Sequence, residues 1–244
     1  MFLKTAMLVP FFWIVTSLFQ PHSSWGAPDQ HSNSFVSALS NVYDQLHEPA
    51  LNRDAFILAM MGYRSLCDQG LVLNDSVITV IDYTLPSTDD RFFVVDLQQN
   101  RVIFKTLVAH GRNSGELYAS RFSNRTQSHQ SALGFYITGS PYQGGQGYSM
   151  WLTGVDTGYN DRARIRSIVI HGASYATQQY ARQYGRLGRS FGCPALPPQV
   201  NANVINRIKE GSVLFSYFPD RDYFGRSPVL GSFFQESPRP SLIN

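Results

Sequence analysis

Apolar residues recur every three to four positions over residues 34–47, where Phe35, Leu39, Val42, Tyr43 and Leu46 share one face, and this spacing predicts an amphipathic helix. A second helix is predicted over 52–69, closed by Gly70, with Phe56, Met60, Tyr63 and Cys67 forming its buried stripe. Past Leu73 the pattern changes to short β-type runs at 77–83, 92–97, 101–108, 134–139, 148–154, 166–172 and 213–218, separated by polar turns. Two helical patterns interrupt them, at 174–184 and 199–209. This order predicts a mainly β fold, a sandwich or barrel with short inserted helices, preceded by an N-terminal helical appendage. From 219 to 244 the chain is rich in Pro, Ser and Gly and loses its periodicity, so a loosely ordered tail is expected.

The first 26 residues read differently. Lys4 precedes a 15-residue apolar run interrupted by Pro10, and Ser24-Trp25-Gly26 puts small residues at the −3 and −1 positions of a cut before Ala27. The run is shorter than the roughly 20 residues that cross a bilayer. The expectation is a cleaved signal peptide (1–26), a helical segment (27–73), a catalytic-type domain (74–218) and the tail (219–244). Export to the periplasm or cell envelope follows, with no membrane anchor once the signal is removed.

Composition narrows the chemistry. At 244 residues, 43% hydrophobic and 15% charged, the chain can bury a full core without disulfide staples. A net charge of +3, with Arg162, Arg164 and Arg166 as the densest basic cluster, lacks the stripe that a nucleic-acid partner requires. No paired-Cys, His-x-His or Glu-x-x-His spacing calls for a metal, and no Gly-rich loop ending in Lys-Ser/Thr calls for a phosphate cofactor. The two cysteines differ in setting. In an oxidising compartment they could pair, but Cys67 sits on a helical stripe, whereas Cys193 lies in a Gly- and Pro-flanked loop with Arg189 four residues before it, the electropositive setting of a reactive thiol.

His171 ends the apolar strand Ile168-Val169-Ile170, and Cys193 follows it after one short helix. A thiol that must act near neutral pH needs an imidazole to take its proton and a third group to hold that imidazole in the right tautomer. Spacing alone leaves two readings open: a nucleophile and its base, or a backbone-satisfied His beside a turn Cys. His110, in a Ser- and Gly-containing loop, is a second candidate imidazole, with a structural loop His as its alternative. His22, His31, His47 and His129 lie outside any such pattern.

The segment IVIHGASYATQQYARQYGRLGRSFGCPALP (168–197) resembles the active-site region of YkuD-type L,D-transpeptidases, and more closely the murein L,D-transpeptidase catalytic-domain-like branch. Ala109-His110-Gly111 through Gly115, Phe122-Ser123-Asn124 and Tyr142-Gln143-Gly144 extend the likeness, so that it spans about residues 50–218. The resemblance implies that Cys193 is the nucleophile, His171 the general base, Gly172 the residue whose carbonyl orients the His, Gly192 an oxyanion donor and Ser190 the motif serine. It also implies a substrate class, the stem peptides of peptidoglycan, attacked through an acyl-enzyme that passes to an amine or to water. Phe191 stands where most of the superfamily has a second His; it can wall the site but cannot donate as an imidazole does. Arg189 or Arg186 is expected to compensate by binding a substrate carboxylate, and His110 to line the substrate site. A secreted cysteine peptidase of other specificity and a non-catalytic wall-binding domain are the competing readings.

Overall fold

The computed structural model describes residues 29–231 and 233; the predicted signal peptide and residues 234–244 of the tail lie outside them. Two helices, α1 (Asp29–Leu46) and α2 (Arg53–Asp68), open the described chain. Eight strands follow: β1 (Val77–Asp82), β2 (Phe92–Asp96), β3 (Arg101–Thr106), β4 (Gly134–Gly144), β5 (Gly147–Gly154), β6 (Val169–Gly172), β7 (Ala195–Leu196) and β8 (Val213–Tyr217). Between them lie α3 (Gln178–Tyr184) and α4 (Pro198–Ile208), and a short helix α5 (Arg221–Arg226) ends the fold.

All eight strands join one sheet in the order β3-β2-β1-β8-β4-β5-β6-β7. Its two ends approach each other: Ala109, just past β3, bridges Ala195 of β7, and Gly111 bridges Ser190. The sheet is therefore a nearly closed barrel, as the β-rich pattern predicted. Strands β1, β2 and β8 are buried on both faces, and their period-two alternation sorts side chains into two cores. Ile78, Val80, Phe93, Val95, Val213 and Phe215 pack under α1 and α2, whereas Val77, Ile81, Phe92, Val94 and Leu214 pack with Val204, Ile205 and Ile208 of α4.

The helix α2 is part of the first core rather than an appendage. It begins at Asn52, whose side chain accepts from Ala55 N–H, and it buries Phe56, Ile57, Met60 and Leu66. Gly62 permits its close approach, since a Cβ there would lie 2.0 Å from the Phe135 ring. The predicted stripe turns outward at its end: Phe56 and Met60 are buried, but Tyr63 and Cys67 are only half-buried.

Three further expectations change. Residues 166–168 do not begin β6, because Ser167 adopts φ 54° and residues 160–168 form successive turns, Arg166 N–H donating to Arg162 O and Ile168 N–H to Ala163 O. Two-residue β7, enclosed by Pro194 and Pro197, is too short to leave an alternation. The tail is anchored as far as Leu230. Buried Asp156 accepts from Phe135 N–H (2.7 Å), from Tyr223 OH (2.9 Å) and from Ser227 OH, drawing Tyr223, Phe224, Val229 and Leu230 into the first core.

Candidate active site

Strands β5, β6 and β7 carry the site. Met150, Leu152, Ile168 and Ile170 face the second core, so the alternate residues Ser149, Trp151, Val169 and His171 face away from it. His171 pairs with Ser149 on one side and with Ala195 on the other. The parallel β6–β7 register, extended back two residues, brings Cys193 beside Val169, roughly 7 Å along the strand direction from His171. Its sulfur accepts from Val169 N–H at 3.5 Å and directs its S–H to Ser167 O at 3.6 Å.

The two candidate reacting groups are prepared differently. His171 is 4% exposed, and its Nδ1 lies 3.0 Å from Gly172 O. A carbonyl can only accept, so the proton sits on Nδ1 and Nε2 presents a lone pair. Among the described residues no group bonds to Nε2. Burial pushes the His171 pKa below the usual imidazole value, against the opposing pull of the Gly172 carbonyl. Burial likewise pushes the Cys193 thiol up, opposed by Val169 N–H and by the charge of Arg166. Both groups are thus neutral at rest near pH 7, and the base is poised to accept rather than already protonated. The two cysteines are free.

The loop before the thiol is built by Ser190. Its hydroxyl donates to Cys193 O at 2.6 Å and accepts from Gly192 N–H at 3.0 Å, while its backbone is clamped to His110 O and Arg112 N–H. Gly192 takes φ 123°, and a Cβ there would meet Gln130 O at 2.7 Å. The expected oxyanion donor is consequently engaged within its own loop. Among the described residues nothing accepts from the backbone N–H of Cys193 itself, which leaves that amide as the open donor beside the sulfur.

Other expected residues fall elsewhere. His110 is 1% exposed: Arg91 donates to its Nδ1 at 2.7 Å and its Nε2–H points to Gly115 O at 3.3 Å. With both nitrogens used it cannot line a substrate site; burial and the Arg91 charge hold its pKa at about 3. Arg186 and Arg189 both bind Glu116, the former at 2.9 Å, and Arg189 also donates to Arg112 O and Gly115 O. The electropositive group near the thiol is instead Arg166, which fastens Ser123 O (2.7 Å) and Gln130 O (2.5 Å) to the underside of the loop. Phe191 is exposed, as a wall residue would be. His129, outside every sequence pattern, packs against it with the two rings tilted by 34°. Fully buried Arg91 was equally unmarked; it binds Val108 O and Leu85 O and lies over Tyr83. Nothing local distinguishes these two residues from solvated ones, because the contacts that define them reach across the fold, from Arg91 to Val108 and His110 and from His129 to Arg112 and Phe191.

No curated protein sequence matches the chain. Solved structures do: an L,D-transpeptidase from Mycobacterium smegmatis (13% identity, 59% of each chain, TM-score 0.38) and the helical cell shape determining protein Pgp2 from Campylobacter jejuni (16%, 67% of this chain and 57% of that one, TM-score 0.39). A third is the L,D-transpeptidase from Xylanimonas cellulosilytica (14%, 75% and 92%, TM-score 0.33). The chain spans about three fifths of the length of the first two. The family model "L,D-transpeptidase catalytic domain" matches residues 47–217, from the end of α1 through the last strand and across the whole of the site just described. By that match, which takes in well over half of its residues, the chain belongs to the L,D-transpeptidase catalytic-domain family.

Proposed function

We propose that this protein is an exported peptidoglycan L,D-transpeptidase in which Cys193 is the nucleophile and His171 its base. The observation that carries the reading is the His171 tautomer: Nδ1–H is tied to Gly172 O, leaving Nε2 as an acceptor at the end of the strand beside Cys193. For the pair to act, the thiol leaves Ser167 O and turns toward that nitrogen.

In the first half-reaction Nε2 takes the thiol proton as sulfur attacks the carbonyl of the third residue of a stem tetrapeptide. A C–S bond forms, the C–N bond to the terminal D-residue breaks, and the imidazolium returns its proton to the departing amine. The N–H of Cys193 stabilises the oxyanion, with Gly192 N–H joining it if Ser190 turns its hydroxyl away. In the second half an amine, or water, gives its proton to Nε2 and displaces sulfur, which recovers the proton as thiol. The amine yields a cross-link and water a trimmed tripeptide. Burial of both groups supports proton transfer coupled to attack, as opposed to a standing thiolate.

The test is incubation of the full chain with purified disaccharide tetrapeptide, followed by mass analysis. Tripeptide, cross-linked dimer or exchanged terminal residue is expected, along with an acyl adduct on Cys193. Cleavage confined to ordinary L-peptides would overturn the reading in favour of a peptidase of other specificity.

A further inference from the structure

Phe191 is an unusual residue to leave on a surface. It lies two positions before Cys193, and 64% of it is exposed. It is nonetheless held in place: the His129 ring packs against it at a tilt of 34° with centroids 4.6 Å apart, and the Arg112 guanidinium lies 4.7 Å from its centre. Arg112 also donates to His129 Nδ1 at 2.9 Å. Since guanidinium only donates, Nδ1 must accept, so in the neutral ring the proton sits on Nε2. Backbone bonds knit the three segments together, Arg112 N–H to Ser190 O at 2.8 Å and Asn113 N–H to His129 O at 3.1 Å.

The loop that supplies His129 also borders an open cavity of about 260 Å³ lined by Ser123, Arg125, Thr126, Gln127, Ser128 and Gln130. Every lining residue is polar, and none offers an aliphatic wall to a peptide side chain. Gln127 and His129 adopt φ 58° and 54°, a strained pairing for non-glycine residues, and Arg166 fixes the loop from below. One flat aromatic surface beside amides, hydroxyls and guanidinium groups matches a saccharide ring, whose C–H face is apolar and whose edge is hydroxyl.

We infer that Phe191, His129 and Arg112, with the adjoining polar cavity, form a subsite for a sugar ring of the glycan that carries the stem peptide. This rests on the function proposed above and adds to it which part of the substrate is read. The reach agrees. The sugar is attached three residues before the attacked carbonyl, a span of up to about 11 Å before the linking atoms are counted, and the Cα atoms of Phe191 and Cys193 are at most roughly 7 Å apart.

Two measurements test it on the full chain. First, kcat/KM for disaccharide tetrapeptide is divided by kcat/KM for the same tetrapeptide without sugar. A ratio of about tenfold is expected, the scale of one well-placed ring contact. Phe191→Ala should collapse it towards unity, and Phe191→Tyr, which restores the ring, should keep it. Second, peptide-free disaccharide is titrated into Cys193→Ala protein with and without Phe191→Ala, and binding is followed by ligand-observed NMR. Line broadening lost with Phe191 supports the subsite even if neither peptide is turned over, an outcome that would remove the proposed function alone. Turnover with the same ratio in wild type and Phe191→Ala, or disaccharide binding indifferent to residue 191, overturns the subsite and leaves the transpeptidase reading standing.

Discussion

Val108-Ala109-His110-Gly111 and Val169-Ile170-His171-Gly172 have almost the same form: an apolar run leading into His-Gly, with the imidazole buried in each. At His110 a buried guanidinium donates to one nitrogen and a carbonyl takes the proton of the other, so the ring is a strut. At His171 a carbonyl takes the Nδ1 proton and no described residue hydrogen-bonds to Nε2. The difference lies in the neighbour that is missing. A ring with one nitrogen committed and one open can move a proton; a ring with both committed can only hold its surroundings together.

The largest expected effect comes from removing what the open nitrogen serves. Cys193→Ala should abolish turnover and the acyl adduct while leaving the unfolding midpoint close to wild type; an adduct surviving in that variant would end the assignment. Next, His171→Ala should lower turnover by roughly 10² to 10⁴, the usual value of a positioned base. The remaining rate should climb with pH towards the raised thiol pKa. In wild type the acid limb should fall below pH 6.5, because His171 protonates below its ordinary value. An acid limb unmoved by the substitution would erase the contrast between the two rings.

His110 should respond in stability instead. Replacing it with Ala leaves one Arg91 N–H without its acceptor while the bonds to Val108 O and Leu85 O remain, a cost of about 1–3 kcal/mol for an unsatisfied buried donor. Its titration also sets a window. Below pH 6.5 the unfolded ring binds a proton that the folded ring refuses until about pH 3, so the stability His110 contributes is complete above 6.5 and is lost as pH falls towards 3. Denaturant titrations across that range should show a shallower loss in His110→Gln than in wild type. The smallest effect belongs to Cys67. Half-buried on α2 and free, it should tolerate Ala with activity intact at about 1 kcal/mol or less, and non-reducing mass analysis should find two thiols.

The barrel strands were legible because Ile78, Val80, Phe93 and Val95 alternate with residues of an equally apolar second core, and a sheet buried on both sides leaves long apolar runs. The tie between His171 and Gly172 was implied by the family resemblance, and the structure carries it between neighbours in sequence. What escaped depends on contacts across the fold. Arg166 reads as one of three alternating arginines until the turn at Ser167 aims it beneath the thiol loop. Arg189 reads as the cation nearest Cys193 until Glu116 takes it. His129 and Phe191 are 62 positions apart, and His110 reveals its role only with Arg91 in place.

The bridges of Ala109 to Ala195 and of Gly111 to Ser190 lie along the line where the two ends of the sheet meet. Elsewhere neighbouring strands are stitched by continuous ladders; this seam has isolated bridges and a few backbone bonds. It is therefore the line along which fewest backbone bonds must break for the barrel to open, and the thiol loop is sewn into it. Any opening that lets the loop relax around a bulky acyl group also parts Ala109 from β7, so in this molecule catalytic give and exposure of a strand edge to other copies are one motion.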